Sequence, residues 1–279
     1  MKDRMLIESG ATKSDWRLLR SGEPATQVLR GGMNVSSMPP ERVKEVLAQG
    51  FSEIEGPLDG VYLYTAGVVT DAIRTDLEAF IRSRVQVGEV DIQDDLMGAA
   101  RAVCGRQCGI AAILGTGSNT CFYDGTAVHR KVYSGGFILG DEGSGAALGR
   151  LFLADFIKGL VPEAVAEDFR RQFDGSYAAI VEAVYRSGAP SGYLGSIAPF
   201  LLSHYEDSYV KGLVDGNFQA FIDRALRHYD CAAYPVGIAG GFGWACRDIL
   251  TPLLDAAGIR VSRFVRQPVD ALCDYHSAS

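Results

Sequence analysis

Ile7-Glu8-Ser9-Gly10-Ala11-Thr12-Lys13 ends an apolar run in a turn of small and hydroxylated residues. Trp16-Arg17-Leu18-Leu19, Ser21-Gly22 and Val28-Leu29-Arg30-Gly31-Gly32 follow it. The same order returns in mid-chain as Ile113-Leu114-Gly115-Thr116-Gly117-Ser118, Cys121-Phe122-Tyr123, Asp124-Gly125 and Val132-Tyr133-Ser134-Gly135-Gly136. Both copies read strand, Gly/Thr/Ser turn, strand, glycine turn, strand, Gly-Gly. A duplicated unit of this kind predicts an α/β protein of two similar domains with a nucleotide held in the cleft between them.

Outward from the first copy, Pro39-Pro40 precedes a helical stretch from Glu41 to Phe51, with Val43, Val46 and Leu47 on one face. Val61 to Tyr64 reads as a buried strand, Thr70 to Arg82 as a helix, Val85 to Ile92 as a strand and Leu96 to Val103 as a helix. The second copy restarts at Gly109, and from Gly143 to Tyr229 the pattern is helical. A strand returns at Pro235 to Ile238, followed by a Gly-rich turn, a helix, a strand over Val261 to Val265 and a last helix after Pro268. The expected domains are 1–106, with the helix 268–279 returning to it, and 107–267.

The chain has 279 residues, 47% hydrophobic and 22% charged, with a net charge of −7. That composition suits a full core, and no basic stripe is present to suit nucleic acid. Apolar runs are too short for a membrane span. The first strand begins near Met1, which leaves no room for a signal peptide or an N-terminal DNA-binding module. Six cysteines are scattered without a C-x-x-C pair; Cys104 and Cys108 could face each other across one helical turn, but no second pair completes a zinc site. The cysteines read as core thiols in a reducing, cytoplasmic setting.

Turns built from Gly, Thr and Ser let backbone N–H groups converge on phosphate oxygens without a clashing Cβ. Gly10-Ala11-Thr12 and Gly115-Thr116-Gly117-Ser118 have that composition. Neither is a P-loop, because Thr12 and not glycine precedes Lys13. The second is not a dinucleotide fingerprint, because Thr120 holds the third glycine position and the loop leads into a strand. Either turn alone is compatible with a plain hairpin; the pair in register is what points to phosphate. Asp94-Asp95 lies between strand and helix, where an acid serves as an N-cap or as a general base. Gly140-Asp141-Glu142-Gly143-Ser144-Gly145 sets two acids between glycines before a helix. Asn34 is a polar side chain after Gly31-Gly32-Met33, and Gly240-Gly241-Phe242-Gly243 allows the close backbone approach an adenine needs.

Glu8 to Lys13, Asp95, Gly115 to Asn119, Gly140 to Ser144 and Gly240-Gly241 together resemble the N-acetylglucosamine kinase and benzoyl-CoA-reductase-activator ATPase group of the sugar kinase, hsp70 and actin superfamily. The match runs nearly end to end. The resemblance implies two ribonuclease-H-like domains, ATP with Mg²⁺, and an amino-sugar substrate. It places phosphates at Gly10, Ala11, Thr12, Lys13, Gly115, Thr116 and Gly117, and adenosine at Gly240 and Gly241. It gives the sugar Asn34, Ser118, Asn119 and Asp141, makes Asp95 the catalytic base and Glu8 the residue holding Mg²⁺ through water. Many relatives carry Asp at the Glu8 position.

The implied reaction is phosphorylation of N-acetylglucosamine or N-acetylmuramic acid at the 6-hydroxyl, in amino-sugar or cell-wall sugar salvage. The lactyl carboxylate of the second sugar requires room and a cation, for which Lys13, Arg130 and Lys131 are candidates. The resemblance also allows a homodimer, and neither nucleic acid nor membrane as partner. Two other readings are an ATPase that activates a partner reductase, which needs cluster-binding cysteines, and a sugar sensor without catalysis.

Overall fold

The computed structural model describes residues 3–10, 13–20, 25–35, 38–68 and 70–277. The chain divides into two compact units, residues 1–106 with 267–279, and residues 107–266.

In unit 1, β1 (Arg4–Ser9), β2 (Lys13–Leu19) and β3 (Thr26–Gly31) form an antiparallel meander. Next come α1 (Pro40–Phe51), β4 (Leu58–Thr65), α2 (Asp71–Arg84), β5 (Val87–Gln93) and α3 (Asp95–Cys104). The sheet order is β3-β2-β1-β4-β5, with β4 and β5 parallel to β1. Strand alternation divides the sheet into two chemically different faces. Met5, Ile7, Trp16, Val61, Leu63 and Ile92 pack in one apolar cluster with side chains of α1 and α2. Leu6, Tyr62 and Tyr64 point the other way, against Ala102 of α3 and residues 269 and 272. Glu8 follows Leu6 by two residues and therefore shares this second face. The helix at 71–84 runs further than its sequence pattern suggests, because Leu77, Ile81 and Val85 make one buried stripe at helical spacing and Val85 caps it.

Unit 2 opens with β6 (Gly109–Leu114), β7 (Ser118–Tyr123) and β8 (Val128–Val132), again an antiparallel meander. The helical stretch that follows consists of α4 (Gly136–Leu139), α5 (Gly145–Phe156), α6 (Glu163–Gln172), α7 (Tyr177–Val181), α8 (Pro190–Ser196), α9 (Ala198–Ser203) and α10 (Ser208–Arg224). Then come β9 (Val236–Ala239), α11 (Gly241–Ala245), α12 (Arg247–Ala256) and β10 (Val261–Val265), and α13 (Pro268–Ser277) closes the chain within unit 1. The sheet order is β10-β9-β6-β7-β8, with β9 parallel to β6 and to β10. Three antiparallel strands followed by two parallel ones is the topology of unit 1, so the repeat in sequence is a repeat in fold. No described helix is long and apolar enough to cross a membrane.

Cys104 and Cys108 do not face each other across a helical turn. Cys104 ends α3 at Gly105, whose φ of 63° breaks the helix, so Cys108 cannot share its turn. The Cys108 thiol instead donates to the Asp124 carbonyl at 3.0 Å; only Cys121 and Cys246 are fully buried, and no disulfide joins any of the six.

Candidate functional site

In unit 1 the candidate residues gather where β1, β4 and β5 end, the edge of an α/β sheet at which ligands bind. Gly10 N–H donates to the Lys13 carbonyl at 3.1 Å, closing the first turn. Ala11 and Thr12 lie outside the described residues. Ser9 and Thr65, both fully buried, grip Met33: Ser9 Oγ accepts from Met33 N at 2.7 Å and Thr65 Oγ1 donates to its carbonyl at 2.8 Å. This grip delivers Asn34 to a parallel bridge with Ala66, at the end of β4.

The acidic pair divides its labour. Asp94 caps α3, its Oδ1 accepting from Met97 N at 2.7 Å. Asp95 is the first residue of the helix and stands close enough to Glu8 to act on its charge. The position of α3 depends on Gly98, where a Cβ would fall 2.9 Å from the Tyr64 ring. The Glu8 carboxyl is pushed up from 4.5 to about 7, first by burial, then by the negative charges of Asp95 and Asp15, with Lys13 opposing.

Sequence reading missed Asp15. It pairs with Glu8 across β1 and β2 and is only 2% exposed. Arg17 Nε donates to it at 2.7 Å and Gln27 Nε2 at 2.7 Å, and Arg17 also pairs with Asp270 of α13 at 3.1 Å. The signal was the alternation Asp15-Trp16-Arg17-Leu18, which sets an opposite-charge pair on the face away from Trp16.

In unit 2 three loops converge. Gly145 and Ala146, at the start of α5, donate to the carbonyls of Gly115 and Thr116, both at 3.0 Å. Ser144 caps α5 by accepting from Ala147 N at 3.1 Å. Gly240 has φ of 117°, and a Cβ there would fall 2.4 Å from the Leu114 carbonyl oxygen, so only glycine brings α11 this close to the second turn.

Asp141 joins the same turn. It is buried, with φ of 55°, a left-handed conformation unusual for a side chain with Cβ. Its Oδ1 accepts from Ser118 N at 3.3 Å, and a Cβ on Gly117 would fall 3.0 Å from its Oδ2. Burial raises its pKa against the hydrogen bonds from Ser118 and Ser134. Asn119 turns its Oδ1 to Thr120 N at 3.1 Å. Asn217, 2% exposed on α10, holds the loop after Asp141: its Oδ1 accepts from Gly143 N at 3.0 Å and its Nδ2 donates to the Ser144 carbonyl at 3.1 Å. It too was missed, although a polar residue in the buried row of Val210, Val214, Phe218 and Phe221 marked it.

The residues fit a phosphate ligand and a cation. A Cβ on Gly241 would meet nothing within 4 Å, and one on Gly115 only the Gly117 carbonyl at 4.0 Å. These glycines leave space that no side chain of the protein fills. Glu8 beside Asp95 and Asp15 concentrates negative charge that a cation would relieve. Among the described residues no three His, Cys, Asp or Glu side chains form a metal cage.

No family model matches the chain. A Porphyromonas gingivalis protein named as a candidate N-acetylglucosamine kinase superposes with a TM-score of 0.91 at 31% identity, over 99% of both chains. The chain belongs to the N-acetylglucosamine kinase family. The N-acetylmuramic acid/N-acetylglucosamine kinase of Clostridium acetobutylicum is 27% identical over 229 residues, 76% of this chain and 72% of that protein. A glucokinase from Streptomyces griseus, solved with glucose and AMPPNP, shares the fold with a TM-score of 0.62 at 14% identity, over 99% of both chains. At that identity the likeness shows a shared two-domain α/β fold.

Proposed function

We propose that the protein is an ATP-dependent sugar kinase that phosphorylates N-acetylglucosamine, N-acetylmuramic acid or both at the 6-hydroxyl. Its place is in amino-sugar or cell-wall sugar salvage in the cytoplasm. The observation that carries this reading is the pairing of Glu8 with Asp95 beside the Gly10 turn, at the strand ends of unit 1.

In this reading Asp95 orients the acceptor hydroxyl and takes its proton as the bond to phosphorus forms. The capping bond of Asp94 to Met97 N–H supports Asp95 in that role. Glu8 would hold Mg²⁺, which would supply charge neutralisation at the phosphoryl oxygens. The turns at Gly10–Lys13 and Gly115–Gly117 receive the phosphates through backbone N–H groups. Gly240 and Gly241 give the adenosine a flat approach. Asn34, Ser118, Asn119 and Asp141 hydrogen-bond the sugar, and Asn217 keeps the Asp141 loop in shape. The dispersed cysteines give the reductase-activator reading no support.

The test is ADP release with Mg-ATP, run in parallel on N-acetylglucosamine, N-acetylmuramic acid, glucosamine and glucose. Turnover restricted to one or both acetylated sugars supports the reading. ATP hydrolysis that no sugar stimulates overturns it.

A further inference from the structure

We propose that Arg247, backed by Trp244, is the platform on which the nucleobase stacks, and that this platform makes the site prefer purine over pyrimidine nucleotides. This role rests on the kinase reading and adds to it the means of holding the base. The second turn receives phosphates and Gly240–Gly241 allow a close approach, but neither grips a base.

The two tryptophans of the chain sit in opposite settings. Trp16 is 2% exposed inside unit 1. Trp244 is half-buried on α11, and the core of unit 2 takes Phe242 and Ile249 from this segment but not Trp244. The helical register explains the split. Gly243 turns inward, where a Cβ would fall 2.8 Å from the Ile238 side chain and 3.0 Å from that of Leu114. Phe242 packs on Phe218, their ring centroids 5.8 Å apart. Gly241 and Trp244, three residues apart, share the opposite side of the helix.

Arg247 lies over the Trp244 indole, its guanidinium carbon 4.9 Å from the ring centroid. It is fixed there: Nη1 donates to the Trp244 carbonyl at 3.0 Å, and Nη2 stands 3.6 Å from the Asp248 carboxylate. The Arg247 side chain is nonetheless 42% exposed. An exposed cation–π pair adds little to the stability of a fold. What this one provides is a flat, held cation with one face on indole and the other left to solvent.

Guanidinium planes stack on aromatic rings, and every nucleobase has a π-face to offer. The order along the chain suits a nucleotide. Gly240 lies against Leu114 and Gly115 of the second turn, and at Gly241 a Cβ would meet nothing within 4 Å. Trp244 follows one helical turn later. Phosphate, ribose and base succeed one another in the same sequence. A purine has two fused rings and covers more of the platform than a single pyrimidine ring, so stacking itself supplies the preference.

The experiment is isothermal titration calorimetry of the full chain in Mg²⁺ with ADP, GDP, CDP and UDP, and with inorganic tripolyphosphate. Wild type should bind the purine nucleotides at least about fivefold more tightly than the pyrimidine ones. Trp244→Ala and Arg247→Ala, each matched to wild type in circular dichroism and urea midpoint, should weaken ADP about tenfold. Both should leave tripolyphosphate within about twofold of wild type, because they remove stacking and not phosphate contacts. Arg247→Lys keeps the charge without the plane and should behave as Arg247→Ala. ADP affinity retained in the folded alanine variants, equal losses of ADP and tripolyphosphate, or no purine preference in wild type overturns the platform and leaves the kinase reading standing. A wild type that binds none of the nucleotides overturns both.

Discussion

Replacing Glu8 by glutamine should stabilise the metal-free protein at alkaline pH while removing its activity. The folded state holds the Glu8 carboxyl near 7, against 4.5 for an ordinary glutamate. It therefore binds more protons than the unfolded chain between those values, so this contribution to stability is fullest below about 4.5 and is lost as pH rises through 7. At 1.36 kcal/mol per pKa unit, ionised Glu8 costs the fold about 3 kcal/mol at pH 8 and about 1 at pH 5. Glu8→Gln removes that cost, so its gain over wild type should be roughly 2 kcal/mol larger at pH 8 than at pH 5. Urea unfolding with EDTA present reads this directly. A Trp244→Phe background leaves the buried Trp16 to report unit 1 by fluorescence. Added Mg-ATP should reverse the ranking, because only the carboxylate gains from the cation. A gain that is equal at both pH values, or larger at pH 5, refutes the reasoning.

Asp95→Asn should lower kcat by roughly 10²–10⁴ with the ATP dissociation constant changed less than about twofold; near-normal turnover would remove Asp95 from the base role. Asn217→Ala leaves Gly143 N–H and the Ser144 carbonyl without their buried partner, which should cost about 1–3 kcal/mol in urea unfolding. The same variant should raise KM for the sugar several-fold more than KM for ATP, and equal effects on both would show that the Asp141 loop does not depend on it. His276 is held at about 4, first by burial and then by Arg101, so its contribution to stability is intact above its ordinary 6.5 and is lost as pH falls toward 4. His276→Gln should flatten that acid slope by about 3 kcal/mol; an unaltered slope in urea midpoints would contradict the assignment.

The duplication was legible because Gly-Thr-Gly and Gly-Gly punctuate short apolar runs in the same order twice, and local turn chemistry alone fixes such units. The central strands β4 and β6 were legible as continuous apolar runs. The boundary between α2 and β5 was not, because Val85 suits either a strand start or a helical stripe, and tertiary burial made the choice. Asp94 and Asp95 could not be separated by type, and only the fold shows that Asp94 accepts from the Met97 N–H. Asp15 and Asn217 carry no motif, and their importance comes from partners fixed only on folding, Glu8 and Arg17 for one and Gly143 and Ser144 for the other. His276 is the same case on a larger scale. Its ring stacks on Tyr62 at 3.8 Å and meets the Tyr64 hydroxyl at 2.7 Å, contacts that join the last helix to the middle of the sheet.

Phosphoryl transfer itself is the central claim, and product analysis tests it most directly. The protein would be incubated with Mg-ATP and N-acetylglucosamine, and separately with N-acetylmuramic acid, and the products examined by phosphorus–proton correlation NMR. The account predicts a phosphomonoester coupled to the C6 protons of at least one of these sugars, formed in step with ADP. ADP accompanied only by inorganic phosphate, with both sugars unchanged, would contradict it.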